Sequence, residues 1–387
     1  MNIDIDYLTA TVQKLVEINS TNPSLHPSGA GERQAADYSA ALLQELGLDV
    51  RFFEPEPGRV SVVGTLPASK KGGETGRSLL LNAHLDTVDV EGMAEPFSGA
   101  IRDGKLYGRG SQDMKGAMAA QIAAVKAVID AGIPLSGDVH IAGVADEEFA
   151  SIGVQSILPH YQPDSVIVTE PSNLEISIAH KGFIWIEVKT FGRAYHGSRP
   201  DMGIDANMRM GRFLAKLDRL EQELAHRSAH ALLGPPSLHA ATLAGGSAWS
   251  AYAAECTLGI ERRTIPGETV EQVEQEIQGL IDELKREDPD LQIEMRIELV
   301  RDWFEVDETA PIVRCLKEAT GQVLGQQAPI IGQHFWTDAA FHSKTGSDTV
   351  LIGPTGHGLH SIEEWVELDS VVKLAEILAN VIVDYCR

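Results

Sequence analysis

Imidazoles and carboxylates recur in this chain at the ends of apolar segments, and those positions are where side chains could share a cation or move a proton. His84-Leu-Asp86-Thr-Val88 closes the apolar run Ser78-Leu-Leu-Leu-Asn-Ala-His84. Residues i and i+2 of a strand share a face, so the Asp86 carboxylate can approach the His84 ring. A ligating His commonly gives its second ring N–H to a carboxylate, although a plain strand-end hydrogen bond uses the same pair. Asp113 lies in Gly108-Arg-Gly-Ser-Gln-Asp113-Met-Lys-Gly116, either capping the helix that follows or bridging two cations from a glycine turn. Asp146-Glu147-Glu148 comes just after the apolar segment Asp138–Val144. Three adjacent acids repel one another unless something positive is near. Neighbours in extended chain point opposite ways, so one of Glu147 and Glu148 can bind a metal while the other faces a reacting water; a solvated acidic loop is the plain alternative. Glu170 ends Val166-Ile-Val-Thr-Glu170, as a ligand or as a helix cap, and His360 follows the segment Thr349–Ile352, with His357 in the glycine turn before it.

Taken singly, each of these residues has an ordinary structural use. Five strand-end segments that each supply His, Asp or Glu are far harder to obtain by accident. The pool holds two His and several carboxylates and no Cys, which suits Zn²⁺, Co²⁺ or Mn²⁺ rather than a structural thiolate zinc. A carboxylate able to bridge suits two-metal hydrolysis.

The elements that must position these residues follow from periodicity. Ile5, Leu8, Val12, Leu15 and Val16 recur at helical spacing, and a second helix covers Glu32 to Leu46. Short apolar segments follow at Val50–Phe53, Arg59–Leu66 and Ser78–His84, the last apolar on both faces as a buried parallel strand is. Ala68–Arg77 reads as an exposed loop, and an Ala-rich helix runs from Lys115 to Ala131. With strands at Asp138–Val144 and Ser165–Thr169, the alternation predicts an α/β domain with a mixed, mostly parallel sheet. Ligands of such sheets lie beyond the carboxyl ends of the strands.

The pattern changes near Gly182. Strand (Phe183–Phe191), helix (Ala206–Ala225), strand (Leu238–Leu243), strand (Tyr252–Arg262), helix (Val270–Arg286) and strand (Leu291–Leu299) follow in the β-α-β-β-α-β order of a ferredoxin-like α+β layer. A helix from Ala310 and the strand Thr349–Ile352 then resume the first pattern. The predicted organisation is a catalytic domain, 1–181 and 300–387, interrupted by a smaller domain, 182–299.

As an ordered set, these motifs resemble those of the metallopeptidase family of aminoacylase, acetylornithine deacetylase, succinyl-diaminopimelate desuccinylase and glutamate-releasing carboxypeptidase. The likeness runs through His84-Leu-Asp86, Gly108 to Gly116, Ala145 to Glu148, Thr169-Glu170-Pro, and His360 followed by Glu364. It implies a zinc-peptidase-like α/β domain carrying an inserted lid that mediates dimerisation. It further implies that His84, Asp113 and Glu170 hold one metal and Asp113, Glu148 and His360 the other. By the same resemblance Asp86 orients His84, and Glu147 is the general base. Tyr195-His196-Gly-Ser-Arg-Pro is similar to the lid segment whose His polarises the scissile carbonyl of a partner's site. Glu261-Arg-Arg263 is similar to the segment whose Arg grips the substrate carboxylate, a task a guanidinium fork suits. Glu261 stands where the family has Asp, and Ser250-Ala-Tyr-Ala253 where it often has Asn-x-x-Pro; both departures bear on the substrate rather than the metals.

Composition narrows the rest. A formal charge of −24 argues against nucleic acid and against an anionic membrane surface. Cys256, Cys315 and Cys386 lack metal-type spacing or a disulfide framework, so a reducing, cytoplasmic setting is expected. No secretory segment is read at MNIDIDYLTATVQKLVEI, and no apolar run reaches the ~18 residues of a membrane span. The expected protein is a two-metal hydrolase, most readily with Zn²⁺, that acts as a homodimer on the amide of a small N-acyl amino acid of the acetylornithine kind, with a dipeptide or carboxypeptidase substrate as the alternative. A scaffold that kept such a fold and lost the chemistry should lack a ligand or the base, and here none is missing.

Overall fold

The computed structural model of the chain describes residues 1–69 and 76–387. The middle of the predicted loop Ala68–Arg77 therefore lies outside the described residues. The chain divides into two compact units. The first comprises Met1–Ile178, Glu305–Ile331 and Thr337–Arg387.

The sheet of the first unit has its parallel strands in the middle. Asp49–Glu56, Arg59–Leu66, Val139–Val144, Leu79–His84, Ser165–Val168, Asp348–Leu351 and Ile176–His180 stand side by side in that order. Leu79–His84 runs parallel to both of its neighbours, Ser165–Val168 is also parallel to Asp348–Leu351, and the pairings outside these are antiparallel. All six residues of Leu79–His84 are buried, as a strand covered on both faces requires. Because its three central strands point the same way, their carboxyl ends deliver His84, the Asp146–Glu148 turn and Glu170 to one edge of the sheet.

Helices cover this sheet. Ile5–Glu17 starts at Asp4, whose side chain accepts the Tyr7 N–H, and buries Leu8, Val12, Leu15 and Val16. Gly116–Asp130 is buried almost all round and touches Ile5–Glu17, Leu79–His84 and the C-terminal helix Leu368–Cys386. Its many small alanines let neighbours pack closely on several sides, with Met118, Ile122 and Val125 filling the space between them. The periodicity reading assigned no element to Leu368–Cys386 or to Ile176–His180. A small antiparallel sheet, in the order Gly356–His357, Trp365–Glu367, Lys105–Tyr107, Ala100–Arg102, joins two distant stretches of chain.

The second unit comprises Ala179–Phe304 and Gly332–Trp336. The latter segment is tied in by Lys181 N–H to the Gln333 carbonyl at 3.2 Å and Trp336 Nε1–H to the Asp302 carbonyl at 3.0 Å. Its four strands are antiparallel, in the order Ser237–Gly245, Glu255–Thr264, Gly182–Phe191, Gln292–Arg301. Helices Ala206–Ala225 and Val270–Glu287 share one core with the sheet, in which Ile184, Ile186 and Val188 meet Phe213, Leu217, Leu258, Ile277 and Ile281. Asp205 caps the first helix, and Thr269 with Gln272 forms a capping box on the second. The strand predicted from Tyr252 begins at Glu255, because its ladder with Gly182–Phe191 ends where Phe191 faces Glu255.

Candidate metal and catalytic centre

His84 is fully buried, and each of its ring nitrogens has a partner. Nδ1 lies 2.9 Å from the Asp86 main-chain carbonyl, and Nε2 lies 3.0 Å from Asp113 Oδ1 and 3.9 Å from Glu170 Oε1. The Asp86 carboxylate comes only to 3.7 Å from Nδ1. It is engaged elsewhere: Oδ1 accepts the Glu147 N–H at 3.1 Å, and Oδ2 accepts the Glu148 N–H at 3.2 Å and the Asn22 amide at 2.8 Å. The orientation expected of Asp86 thus reaches the imidazole through its main chain, while its charge holds the turn that carries both glutamates.

That turn is secured from its other side as well. Asp146 precedes the two glutamates with a left-handed backbone, φ 66°. Its carboxylate accepts from Arg59 at 2.6 Å and from the same Asn22 nitrogen at 2.9 Å. Arg59 in turn forks onto the buried Glu32. Asn22, Glu32 and Arg59 escaped the sequence reading because nothing local marks them: their partners lie 64, 27 and 87 residues away.

Asp113 follows Gly110, which has φ 80° and no room for a side chain; a Cβ there would stand 2.8 Å from Thr87 Cγ2 and 2.9 Å from Lys115 Cδ. The Asp113 carboxylate faces two imidazoles. Oδ1 meets His84, and Oδ2 lies 3.6 Å from His360 Nε2. His360 Nε2 is also 3.1 Å from Glu148 Oε2. Donor atoms of His84, Asp113 and Glu148 all lie within 4.8 Å of one another, and so do those of His84, Glu147 and Glu170. The structure therefore gathers His84, Asp113, Glu147, Glu148, Glu170 and His360 into one cluster. His196 and Arg263 belong to the second unit. His196 is exposed, with Nδ1 2.8 Å from Ser198 Oγ. Arg263 Nε donates to Glu261 at 2.7 Å, and its guanidinium lies over the Phe183 ring. His357 is exposed and stacks on Trp365.

Crowding and burial shift the protonation equilibria of the cluster. Burial, reinforced by the charge of Glu170, holds Glu147 well above the usual carboxylate range. Glu170 is raised in the same way, by burial and then by Asp113. Burial also raises Glu148 against the opposing pull of its His360 hydrogen bond. Hydrogen bonds from His360 and His84 outweigh burial at Asp113 and lower it. Burial opposes the charged form of His84, but the Asp113 bond and the surrounding carboxylates overcome it and hold the ring well above its ordinary value. His360 is raised to about 10 by its bonds to Asp113 and Glu148. Four carboxylates thus crowd two imidazoles that must take protons to balance them. Divalent cations would balance the same charge without protons. An all-N/O donor set fits Zn²⁺, Co²⁺ or Mn²⁺, so the residues present suit such ions.

Comparison with known proteins points the same way. Residues 80–384 match the model of peptidase family M20/M25/M40. The chain is 30% identical over 379 residues to the N-formyl-4-amino-5-aminomethyl-2-methylpyrimidine deformylase of Bacillus subtilis strain 168, covering 90% of this chain and 88% of the relative. It is 29% identical to the acetylornithine deacetylase of Myxococcus xanthus over 100% of this chain and 99% of that one. Among solved structures, a Bacillus subtilis dinuclear metal-binding peptidase of family M20 superposes with a TM-score of 0.76 at 15% identity, covering 99% of this chain and 98% of that one.

Proposed function

The chain belongs to peptidase family M20/M25/M40, a metal-dependent hydrolase of amide or peptide bonds, and on that premise we propose that it removes a small acyl group from the amide nitrogen of an N-acyl amino acid. One observation carries this reading: two imidazoles and four carboxylates from five segments meet at one edge of the central sheet. Two divalent cations, Zn²⁺ first and Co²⁺ or Mn²⁺ next, would be held by His84, Asp113 and Glu170 and by Asp113, Glu148 and His360, with Asp113 shared. A solved family M20 peptidase described as dinuclear and metal-binding is in keeping with a count of two cations. When bound, such cations supply Lewis acidity to the scissile carbonyl.

The remaining work falls to side chains of this chain. Glu147 takes the proton of the attacking water and passes it to the leaving amine. The proton taken from the water is the one the amine nitrogen receives as its bond to the carbonyl carbon breaks. Asp86 keeps Glu147 in place through the backbone N–H it accepts. His196 polarises the carbonyl oxygen from a partner subunit, and Arg263 grips the substrate carboxylate with its fork. The protein works in the cytoplasm as a homodimer joined through its second unit. There Ser237–Gly245 is an edge strand, exposed along almost its whole length, and Leu243 and Met208 are exposed nearby. Light scattering on the active species tests this, and an active monomer would remove the role of His196 across subunits.

Identity to the Myxococcus xanthus acetylornithine deacetylase over the full chain favours N-acetylornithine. Identity to the deformylase favours, as a second reading, an N-formyl aminopyrimidine. The deciding experiment is a hydrolysis screen with added Zn²⁺, Co²⁺ or Mn²⁺ over N-acetyl amino acids, N-formyl aminopyrimidine, N-succinyl-diaminopimelate and dipeptides. Turnover of an N-acetyl amino acid above all others is expected. Turnover of dipeptides alone would overturn the assignment.

A further inference from the structure

Glu364 and Arg109 form a pair outside the set of metal ligands, and their side chains are only 1% and 4% exposed. Glu364 Oε1 accepts the backbone N–H of Gln112 at 2.9 Å and of Asp113 at 3.2 Å. Its Oε2 accepts the Gly110 N–H at 3.1 Å and Arg109 NH1 at 2.8 Å. The other corners of the Arg109 fork donate to the main-chain carbonyls of Asp89, at 2.9 Å, and Ser361, at 2.8 Å. One carboxylate therefore gathers three N–H groups of the turn that carries Asp113, and its cation fastens the residue next to His360.

The neighbouring backbone repeats the connection. Lys105–Tyr107, just before the Asp113 turn, pairs antiparallel with Trp365–Glu367, just after the His360 loop. Leu106 faces Val366, and both are fully buried. The Gly108 N–H reaches the Glu364 carbonyl at 3.1 Å. Two segments 251 residues apart in sequence are thereby held in register.

His360 needs such a hold. Its side chain is 55% exposed, so packing does little to fix it. Its backbone sits at φ 56°, a left-handed conformation that a non-glycine residue keeps only when its surroundings impose it. His84, by contrast, is fixed by a fully buried strand.

We propose that Glu364 and Arg109 are positioning residues for one cation of the two: they set the separation of Asp113 from His360, and so govern affinity at the site built from Asp113, Glu148 and His360 far more than at the site built from His84, Asp113 and Glu170. Supporting contacts of this kind change metal affinity by about 10–100-fold when removed. The inference rests on the two-cation reading above.

Calorimetric titration of metal-free protein with Co²⁺, followed in parallel by visible absorption, tests it. The wild-type chain should take up two equivalents. Glu364→Gln keeps the shape but turns an acceptor into a donor facing backbone N–H groups. It should leave the tighter equivalent within about threefold and weaken the other by about 10–100-fold. Arg109→Lys keeps the charge and loses the fork, should act in the same direction, and decides the matter if Glu364→Gln melts at the assay temperature. In a His360→Ala background, which already lacks the second site, Glu364→Gln should change the remaining affinity by less than about threefold. Wild-type affinity for both equivalents in the two variants, equal losses at both, or an undiminished effect in the His360→Ala background would each overturn the positioning role. A wild-type chain that takes up fewer than two equivalents would instead bring down the two-cation reading, and this inference with it.

Discussion

Burial favours the neutral form of both Glu147 and His342, raising the carboxyl and lowering the imidazole. Glu147 stands among carboxylates, and the role proposed for it requires an ionisable oxygen. Glu147→Gln removes the base while keeping the shape, so kcat should fall by about 10²–10⁴-fold with metal content unchanged by elemental analysis; near-normal turnover would refute the assignment. His342 is fully buried, with Nε2 3.4 Å from Asn82 Oδ1, and burial lowers it from 6.5 to about 4. Below pH 6.5 the unfolded chain takes a proton that the folded chain refuses. The contribution is complete above that pH and is lost as pH falls toward 4, on the order of 3 kcal/mol in all. His342→Gln should remove this dependence, so that wild type loses more stability than the variant between pH 6.5 and 4 in denaturant unfolding. Parallel curves would show that His342 does not stay neutral in the folded protein.

Among the elements, the Gly110–Asp113 turn is the one where local backbone and site are the same thing. Gly110→Ala must place a methyl group at φ 80° against Thr87 and Lys115. A loss of about 1–3 kcal/mol is expected, together with weaker metal binding, because Asp113 moves with the turn. Thermal melting and metal titration of the same variant check both effects, and a variant with wild-type values in both would show that the turn tolerates a side chain. The parallel strand Leu79–His84 needs no such device, since its neighbours fix it on both sides. The helix Gly116–Asp130 was legible as Ala-rich, and its burial explains that composition. The helix Leu368–Cys386 was not assigned from the sequence. Its apolar residues, Val371, Leu374, Leu378, Val381 and Ile382 among them, recur at helical spacing, so the period was present in the sequence although no element was read from it.

For the molecule as a whole, the acidic centre links folding to cation binding. Buried carboxylates that repel one another destabilise the folded state, and an ion that binds only that state stabilises it by mass action. Removing metal with a chelator should therefore lower the melting temperature, and added Zn²⁺ or Co²⁺ should restore it. A melting temperature indifferent to both would mean that the cluster does not hold a cation. The net charge of −24 adds long-range repulsion that salt screens, so the chelator comparison belongs at fixed ionic strength. No helix among the described residues is long and apolar enough to cross a membrane.

What the linear chain determined by itself was local: which segments are apolar, with which period, and which acids and imidazoles stand at their ends. Local chemistry was enough for the α/β pattern, for the β-α-β-β-α-β insertion, and for picking out His84, Asp113, Glu147, Glu148, Glu170 and His360, because strand and helix periods are written in neighbouring residues. Only the tertiary structure decided what those residues touch. It turned the Asp86 carboxylate from the His84 ring to the backbone of Glu147 and Glu148, and it brought Arg59 to Asp146 and Arg109 to Glu364. Such pairs join residues far apart along the chain. A buried charge is tolerated only where the fold supplies its partner, and nothing in the neighbouring sequence names that partner in advance.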